Sequence, residues 1–394
     1  VTARDRAKDR GFDMAGIEWF DTPAALAASD KIDVFVELVG GENGAAFDSI
    51  HAALENGRHV VTANKALLAK HGLELALIAE EKGLILNYEA AVAGGIPIIK
   101  AIREGLTANR IQWVAGIING TTNYILSEMR SRGMSFGDAL AEAQRLGYAE
   151  ADPTFDVEGV DAAHKLTLLA SMAFGVPVQF SKAHIEGISS LASEDIALAE
   201  RLGYRIKLLG ITKQRPDGIE LRVHPALVPN DRLLANVEGA MNAVMVSGDA
   251  VGPTLYYGQG AGEEPTASAV VADLVDVTRL HTADPGNRVP HLGFQPDAMS
   301  DMPILPIEQV ITSYYLRLSV DDQPGVLADL ARLLADLRIS IGSMIQEPSG
   351  DAAADIIFIT HEAREGDVDQ AIARIESLAF VRSKVTRLRI ENLA

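Results

Sequence analysis

The chain reads as an α/β protein in three parts: a doubly wound parallel sheet, an α+β region with a mostly antiparallel sheet, and a small βαββαβ module. Three observations carry this expectation. Between Lys31 and Glu89, short apolar runs alternate with helical stretches at the spacing of a parallel sheet. From residue 90 to about 260, strand-like segments are joined by turns such as Pro216-Asp217-Gly218. Beyond residue 310, strand, helix, strand, strand, helix and strand follow in order, the split βαβ arrangement. With 394 residues the chain is too long for one ordinary core.

The opening stretch VTARDRAKDRGFDMAG reads as the end of a strand and a short helix. Arg4, Arg6, Lys8 and Arg10 cluster there around Asp5 and Asp9. In a dinucleotide-binding unit the end of the second strand meets the adenosine ribose, and basic residues there accommodate an extra phosphate. A charge-laced surface turn is the plainer alternative. Such a unit also needs a preceding strand and glycine-rich turn, so the chain is expected to lack about one strand-turn-helix unit at its start. DVFVELVGG is a buried strand stopping at Gly40-Gly41, followed by a helix over about Ala45–Glu55. Next come a strand His59–Thr62, a turn through Asn64 and Lys65, a helix opening on Ala66, and a strand in LILNYEA. Ligands of such sheets sit beyond the carboxyl ends of the strands, where Gly40, Gly41, Thr62, Asn64, Lys65 and Glu89 fall. Residues 1–89 are thus a partial Rossmann-like domain, expected to be rejoined by about 262–308.

Residues 90–261 form the second part, expected to hold a mostly antiparallel sheet. At its start Glu89 precedes a small-residue turn that can offer a carboxylate and carbonyl oxygens to a hard cation, or simply be a flexible hinge. A helix from about Ile98 to Glu104 follows, and Gly120, Thr121 and Thr122 open another. GYAEADPTFDVEGVDAAHKLTLLA then gathers Glu150, Asp152, Asp156, Glu158 and Asp161 ahead of Lys165. Asp161 and Lys165 are one helical turn apart, and Leu168 and Met172 continue their stripe. A half-buried lysine there is a candidate proton carrier; the spacing alone equally describes a helix salt bridge worth a few tenths of a kcal/mol. Residues 181–204 read as helical, and Gly258, Gly260 and Gly262 precede a long helix where a phosphate can approach. Prolines space a connector over 282–308. In the ferredoxin-like module 310–394, Asp322, Gln323, Pro324 and Gly325 join the first strand to its helix, where backbone N–H groups can hold an amino-acid carboxylate.

Composition excludes several classes. A net charge of −19 argues against nucleic acid and anionic membrane as partners. No apolar run reaches the ~18–20 residues of a membrane span, and cytoplasmic localisation is the default expectation. With no cysteine, disulfides, thiolate metal sites and thiol nucleophiles are excluded.

HVVTANKALLA, YEAAVAGGIPII, GIINGTTNYIL and GYAEADPTFDVEGVDAAHKL, in this order, resemble homoserine dehydrogenase. DQPGVLADLARLLAD followed by ISIGSMIQ resembles the ACT domain appended to many bacterial members. The resemblance covers nearly the whole chain. It implies NAD(P)-dependent, reversible reduction of L-aspartate 4-semialdehyde to L-homoserine, on the route to threonine, methionine and isoleucine. It makes Lys165 the proton donor and brings Lys65 close to nicotinamide and substrate. Glu150 and Asp161 match positions that bind the substrate ammonium, with Asp156 a secondary candidate. The cofactor set it implies is Lys65, Thr62, Gly40, Gly147, Glu150, Gly260 and Arg4, with NADP favoured over NAD by the basic cluster. A monovalent cation such as sodium would be held by Glu89 and the carbonyls of Val92, Gly94 and Ile96. Threonine is the implied effector of the ACT domain, and a homodimer or homotetramer the implied assembly. Three other classes compete, one of them a structural assembly module, which would leave the acidic cluster unexplained. A semialdehyde dehydrogenase forming an acyl phosphate needs a thiolate this chain lacks. A catalytically impaired amino-acid sensor would leave the acidic cluster and its lysines unexplained.

Overall fold

The apolar runs expected of a parallel sheet do pair side by side. In the computed structural model, Val34–Glu37 lies parallel to His59–Thr62, which lies parallel to Leu86–Asn87. Helices Ala45–Glu55 and Lys65–Glu81 connect them. The structure describes residues 1–350 and 352–393, and the chain packs as two units. One comprises Val1–Gly120, Val160–Ala183 and Ala240–Met302; the other comprises Thr121–Gly159, His184–Gly239 and Pro303–Ala394.

In the first unit, helix Glu263–Leu280 packs Val270 and Val277 against Val61 and Ile85 of the parallel sheet. A second, antiparallel set runs Ile111–Ile117, Met241–Gly248 and Gly252–Gln259. The stretch before Pro23 departs from the expected strand and helix: helix begins only at Pro23–Ala27. Asp5, Asp9 and Asp13 each accept the backbone N–H two residues on, from Ala7, Gly11 and Ala15. Such turns compete directly with helix. Arg10 then satisfies the carbonyls of Asp5 and Lys8 at 2.6 and 2.7 Å, and its guanidinium lies 5.0 Å from the Trp19 ring centre.

Strand LILNYEA is shorter than expected, because the chain turns at Glu89–Ala91. Glu89 is buried there, and its two carboxylate oxygens accept the N–H groups of Ile99 and Lys100, both at 2.9 Å. They cap a helix that runs only Ile98–Lys100 before widening over Ala101–Gly105. The Glu89 N–H donates to buried Asp273 at 2.8 Å. Burial pushes Glu89 up to about 7 and Asp273 to about 6.

In the second unit, hairpin Tyr204–Arg215 and Gly218–Pro229 is antiparallel, and the latter strand also pairs with Thr386–Ile390 and His184–Ile185. The expected helix over 181–204 therefore shrinks to Ser193–Arg201. A Cβ at Gly187 would lie 2.6 Å from the Glu158 backbone, an approach only glycine allows. The terminal module is the expected βαββαβ fold, with strands in the order Ile341–Pro348, Ala353–Thr360, Ile311–Asp321, Thr386–Ile390. Helices Val326–Asp336 and Glu365–Glu376 bury Leu330, Leu334, Val368 and Ile375 with Leu316, Leu318 and Phe358. Two buried arginines tie the module to its neighbours: Arg389 reaches Glu365 within the module and Glu186 beside strand His184–Ile185, both at 2.8 Å, and Arg222 of the hairpin reaches Glu391 at 2.5 Å and Glu220 at 3.0 Å.

An acid whose folded pKa is raised holds its proton longer in the folded state. Stability therefore falls as pH climbs from the ordinary carboxylate values toward 6 and 7. Asp273→Asn keeps an oxygen for the Glu89 N–H and removes one buried charge. Thermal melts from about pH 5 to 8 should show a shallower decline in the variant, with a gain at the alkaline end on the order of 1–3 kcal/mol. Parallel curves for variant and parent would refute the assignment.

Candidate functional site

Helix Val160–Phe174 is the element on which the site is built. The sequence shows a polar stripe beside an apolar one, yet every residue from Asp161 to Phe174 is buried. It packs against helix Lys65–Glu81, where Gly72 leaves room for Leu168, and against strand Ile111–Ile117. A helix covered all round places its charged residues in the interior, where they must find partners.

They do so at one carboxylate. Asp161 Oδ2 accepts from Lys165 Nζ at 2.7 Å and from Asn119 Nδ2 at 2.8 Å, and Oδ1 lies 2.9 Å from Lys65 Nζ. Lys165 also donates to the Ile118 carbonyl at 2.7 Å. Lysine 165 is 7% exposed, so the salt bridge is an interior one and not the surface pair its spacing also allowed. Burial pulls the Asp161 carboxyl upward, but Lys165 and Lys65 outweigh it and hold it well below the usual range. His164, edge-on to Phe180, is held below the usual histidine value, chiefly by burial. Two ammonium groups around one carboxylate leave an excess of positive charge, with Lys65 a third exposed toward solvent. That arrangement suits an oxygen acquiring negative charge.

Lys65 opens its helix just after Asn64, whose side chain caps Leu67 N–H at 3.1 Å. Asn64 also borders a cleft of about 500 Å³ at the carboxyl ends of the first two strands, with Leu38, Gly40, Gly262, Thr266 and Val271. Its walls fit a nicotinamide nucleotide. Leu38 and Val271 present apolar surface at 61% and 56% exposure, and Gly40, with φ +79°, has nothing within 4 Å of where a Cβ would stand. Beside it, Arg4, Lys8 and Arg10 line a second hollow of about 530 Å³, and Glu263 borders both.

Two expected cofactor residues stand elsewhere. Thr62 is fully buried, its hydroxyl donating to Glu37 at 2.6 Å and accepting from Asn64 N–H at 3.0 Å, so it backs the cleft without lining it. Gly260 faces inward: a Cβ there would fall 1.9 Å from Asn242, and its carbonyl would lie 2.5 Å from a Cβ on Gly94. Gly260 is needed for packing, and Gly262 takes the place at the cleft. The turn at Glu89 carries two successive left-handed residues, Ala93 and Gly94. The Glu89 carboxylate caps a helix there, and the Ile96 carbonyl accepts Ile98 N–H at 2.7 Å. A donor set of carbonyls and one acid suits a monovalent cation, and among the described residues no cluster of three acids or histidines could hold a metal. Within the second unit, Glu150 is exposed and its carbonyl accepts from Gln144, Gly147 ends a helix at φ +79°, and Asp156 accepts from Thr121 at 3.3 Å. Glu37 lies outside the motifs, and Asn119 lies within GIINGTTNYIL with no role assigned to it. Their one signal is a polar residue at the end of a buried strand, where it must be partnered.

Family profiles match three stretches of the chain: the homoserine dehydrogenase NAD-binding domain over residues 2–89, homoserine dehydrogenase over 97–275, and the ACT domain over 314–380. A homoserine dehydrogenase of Pseudomonas aeruginosa is 61% identical over 370 residues, which span 93% of this chain and 85% of that protein. The crystal structure of a homoserine dehydrogenase from Thiobacillus denitrificans superposes with a TM-score of 0.92 at 62% identity, covering 96% of this chain and 86% of that one. A hyperthermophilic archaeal homoserine dehydrogenase in complex with NADPH is 28% identical at a TM-score of 0.57, over 66% of this chain and 75% of its own. Two lysines on a shared buried carboxylate beside a nucleotide-sized cleft accord with these matches, and the chain belongs to the homoserine dehydrogenase family of NAD(P)-dependent oxidoreductases.

Proposed function

We propose that the chain reduces L-aspartate 4-semialdehyde to L-homoserine with Lys165 as proton donor. The observation that carries this is the buried Lys165 ammonium, held by Asp161 and the Ile118 carbonyl. The nicotinamide, when bound, supplies the hydride. Lys165 delivers a proton to the aldehyde oxygen as it becomes an alkoxide, and Lys65 adds positive charge from the cofactor side. Asp161 keeps both lysines in place. Glu150, Asp161 and, secondarily, Asp156 are the residues that the resemblance gives to the substrate ammonium. Gly40 and Gly147 make room at the cofactor, and Thr62 and Gly260 shape its surroundings from behind. Lys165→Ala should lower kcat about 10²–10⁴-fold with the fold retained. A turnover near that of the parent, followed at 340 nm, would remove Lys165 from the proton-donor role.

NADP is the preferred cofactor in this reading. Arg4, Lys8 and Arg10, set among Asp5, Asp9 and Glu263 in the hollow beside the cleft, support it, as does the NADPH bound to the archaeal relative. Arg4→Ala should raise the KM for NADPH about tenfold, the equivalent of 1.4 kcal/mol, and leave that for NADH unchanged. Equal effects on both would assign Arg4 no part in discrimination. The Glu89 carboxyl group with the carbonyls of Val92, Gly94 and Ile96 is the proposed seat of a sodium-like cation, which organises the hinge and takes no part in the chemistry.

The functional division is a nucleotide part over 1–89 completed by about 262–308, a catalytic part over 90–261, and a regulatory part over 310–394. Threonine is the proposed effector, held where Gly325, at φ +99°, opens helix Val326–Asp336. The Asp322 and Gln323 N–H groups bond to the carbonyls of Ala352 and Asp321, and Val326 N–H to the Gln323 carbonyl, so the N–H groups after Val326 in the first helical turn are the ones proposed to receive a carboxylate. Removing the module would strip Arg222 of Glu391, so a point change is the cleaner probe. Gln323→Ala should raise the threonine concentration for half-inhibition tenfold or more; unchanged inhibition would put the effector elsewhere. Pairing of ACT sheets favours a homodimer or homotetramer. No described helix is long and apolar enough to cross a membrane, and the cytoplasm is the proposed location.

A further inference from the structure

Glu37 ends a strand whose other residues are apolar, and its side chain is fully buried. One oxygen accepts the N–H groups of Val39 at 2.6 Å and Gly40 at 2.9 Å. The other accepts the Thr62 hydroxyl at 2.6 Å, and that hydroxyl accepts Asn64 N–H at 3.0 Å. Asn64 closes the circuit, donating to the Gly41 carbonyl at 2.7 Å while capping the helix that begins at Lys65. One carboxylate therefore faces two loops. The first, Leu38 to Gly41, borders the cofactor cleft, and its Val39 and Gly40 N–H groups point inward, away from any phosphate. The second carries Lys65 to Asp161.

We infer that Glu37 is a positioning residue for hydride transfer, setting the cofactor-facing loop and the Lys65 turn in one fixed relation. The alternative is that Glu37 merely satisfies buried N–H groups. The two differ in what a neutral amide would do. In Glu37→Gln the amide oxygen can serve only one of the two loops. Turned toward Val39 and Gly40, it gives Thr62 an NH₂ where that hydroxyl now donates. Turned toward Thr62, the NH₂ meets two backbone donors. A merely structural role would move the melting point and leave the kinetics of the folded enzyme alone.

The test is stopped-assay and titration kinetics on the full chain carrying Glu37→Gln. NADPH dissociation, followed by its fluorescence without substrate, should weaken at least tenfold, and kcat at saturating cofactor should fall at least tenfold, with a melting transition still cooperative. Folded variant protein with both values like the parent would overturn the inference. If Glu37→Gln fails to fold, Thr62→Val decides, since it cuts the same circuit at the Lys65 side: kcat should fall at least fivefold with a smaller change in NADPH dissociation. Parent-like kinetics in that variant, or loss of fold in both, would assign the circuit to stability alone and overturn the positioning role.

Discussion

Everything at the candidate site depends on one carboxylate in the interior holding two ammonium groups. Asp161 alone in a buried helix would carry the full desolvation penalty of an ion and would take up a proton. With Lys165 on one oxygen and Lys65 on the other, the ion is retained, and two long, flexible side chains are fixed at 2.7 and 2.9 Å. Lysine is a compact donor on a stem with many rotamers, so its usefulness as an acid rests on what restrains it. Asp161 and the Ile118 carbonyl provide that restraint before any substrate arrives.

Buried acids organise this protein in two distinct ways. Asp161 is matched by cations, and its carboxyl is driven down. Glu89 and Asp273 are matched mainly by backbone N–H groups, and burial drives them up. The first kind creates a local field for chemistry. The second kind ties a turn to a distant helix. The surface carries its own surplus of negative charge, so the interior acids are a separate design.

Much of this was legible from the residues. Continuous apolar runs identified the parallel strands, and alternating and period-3.6 runs identified the βαββαβ module, because both rest on local patterns of burial. The spacing of Asp161 and Lys165 identified the pair but not its depth. Depth is set by helix Lys65–Glu81 and strand Ile111–Ile117, which lie far away in sequence. Glu37 was illegible for the same reason: its partner Thr62 is 25 residues on, and only strand pairing brings them together. Gly260 read as a phosphate turn and proved to be a packing glycine, since a lone glycine does not reveal which neighbour demands the space. The first residues misled through their charges, where three aspartates fold short turns that outcompete helix.

The buried arginine of the hairpin has a consequence for how the chain is made. Arg222 and Glu391 are 169 positions apart, yet each neutralises the other in the interior. During synthesis the hairpin brings Glu220 along with Arg222, but it emerges long before the second counter-ion, Glu391. Closing so long a loop is slow and entropically costly. His184–Ile185 covers the edge of strand Gly218–Pro229 only at Arg222 and Val223, so its Ala226–Leu227 stretch stays open throughout that interval, and open edges recruit other strands. The nascent enzyme is thus most exposed to mispairing between completion of the hairpin and arrival of Thr386–Ile390, a window that translation speed and chaperones will govern more than the stability of the finished fold.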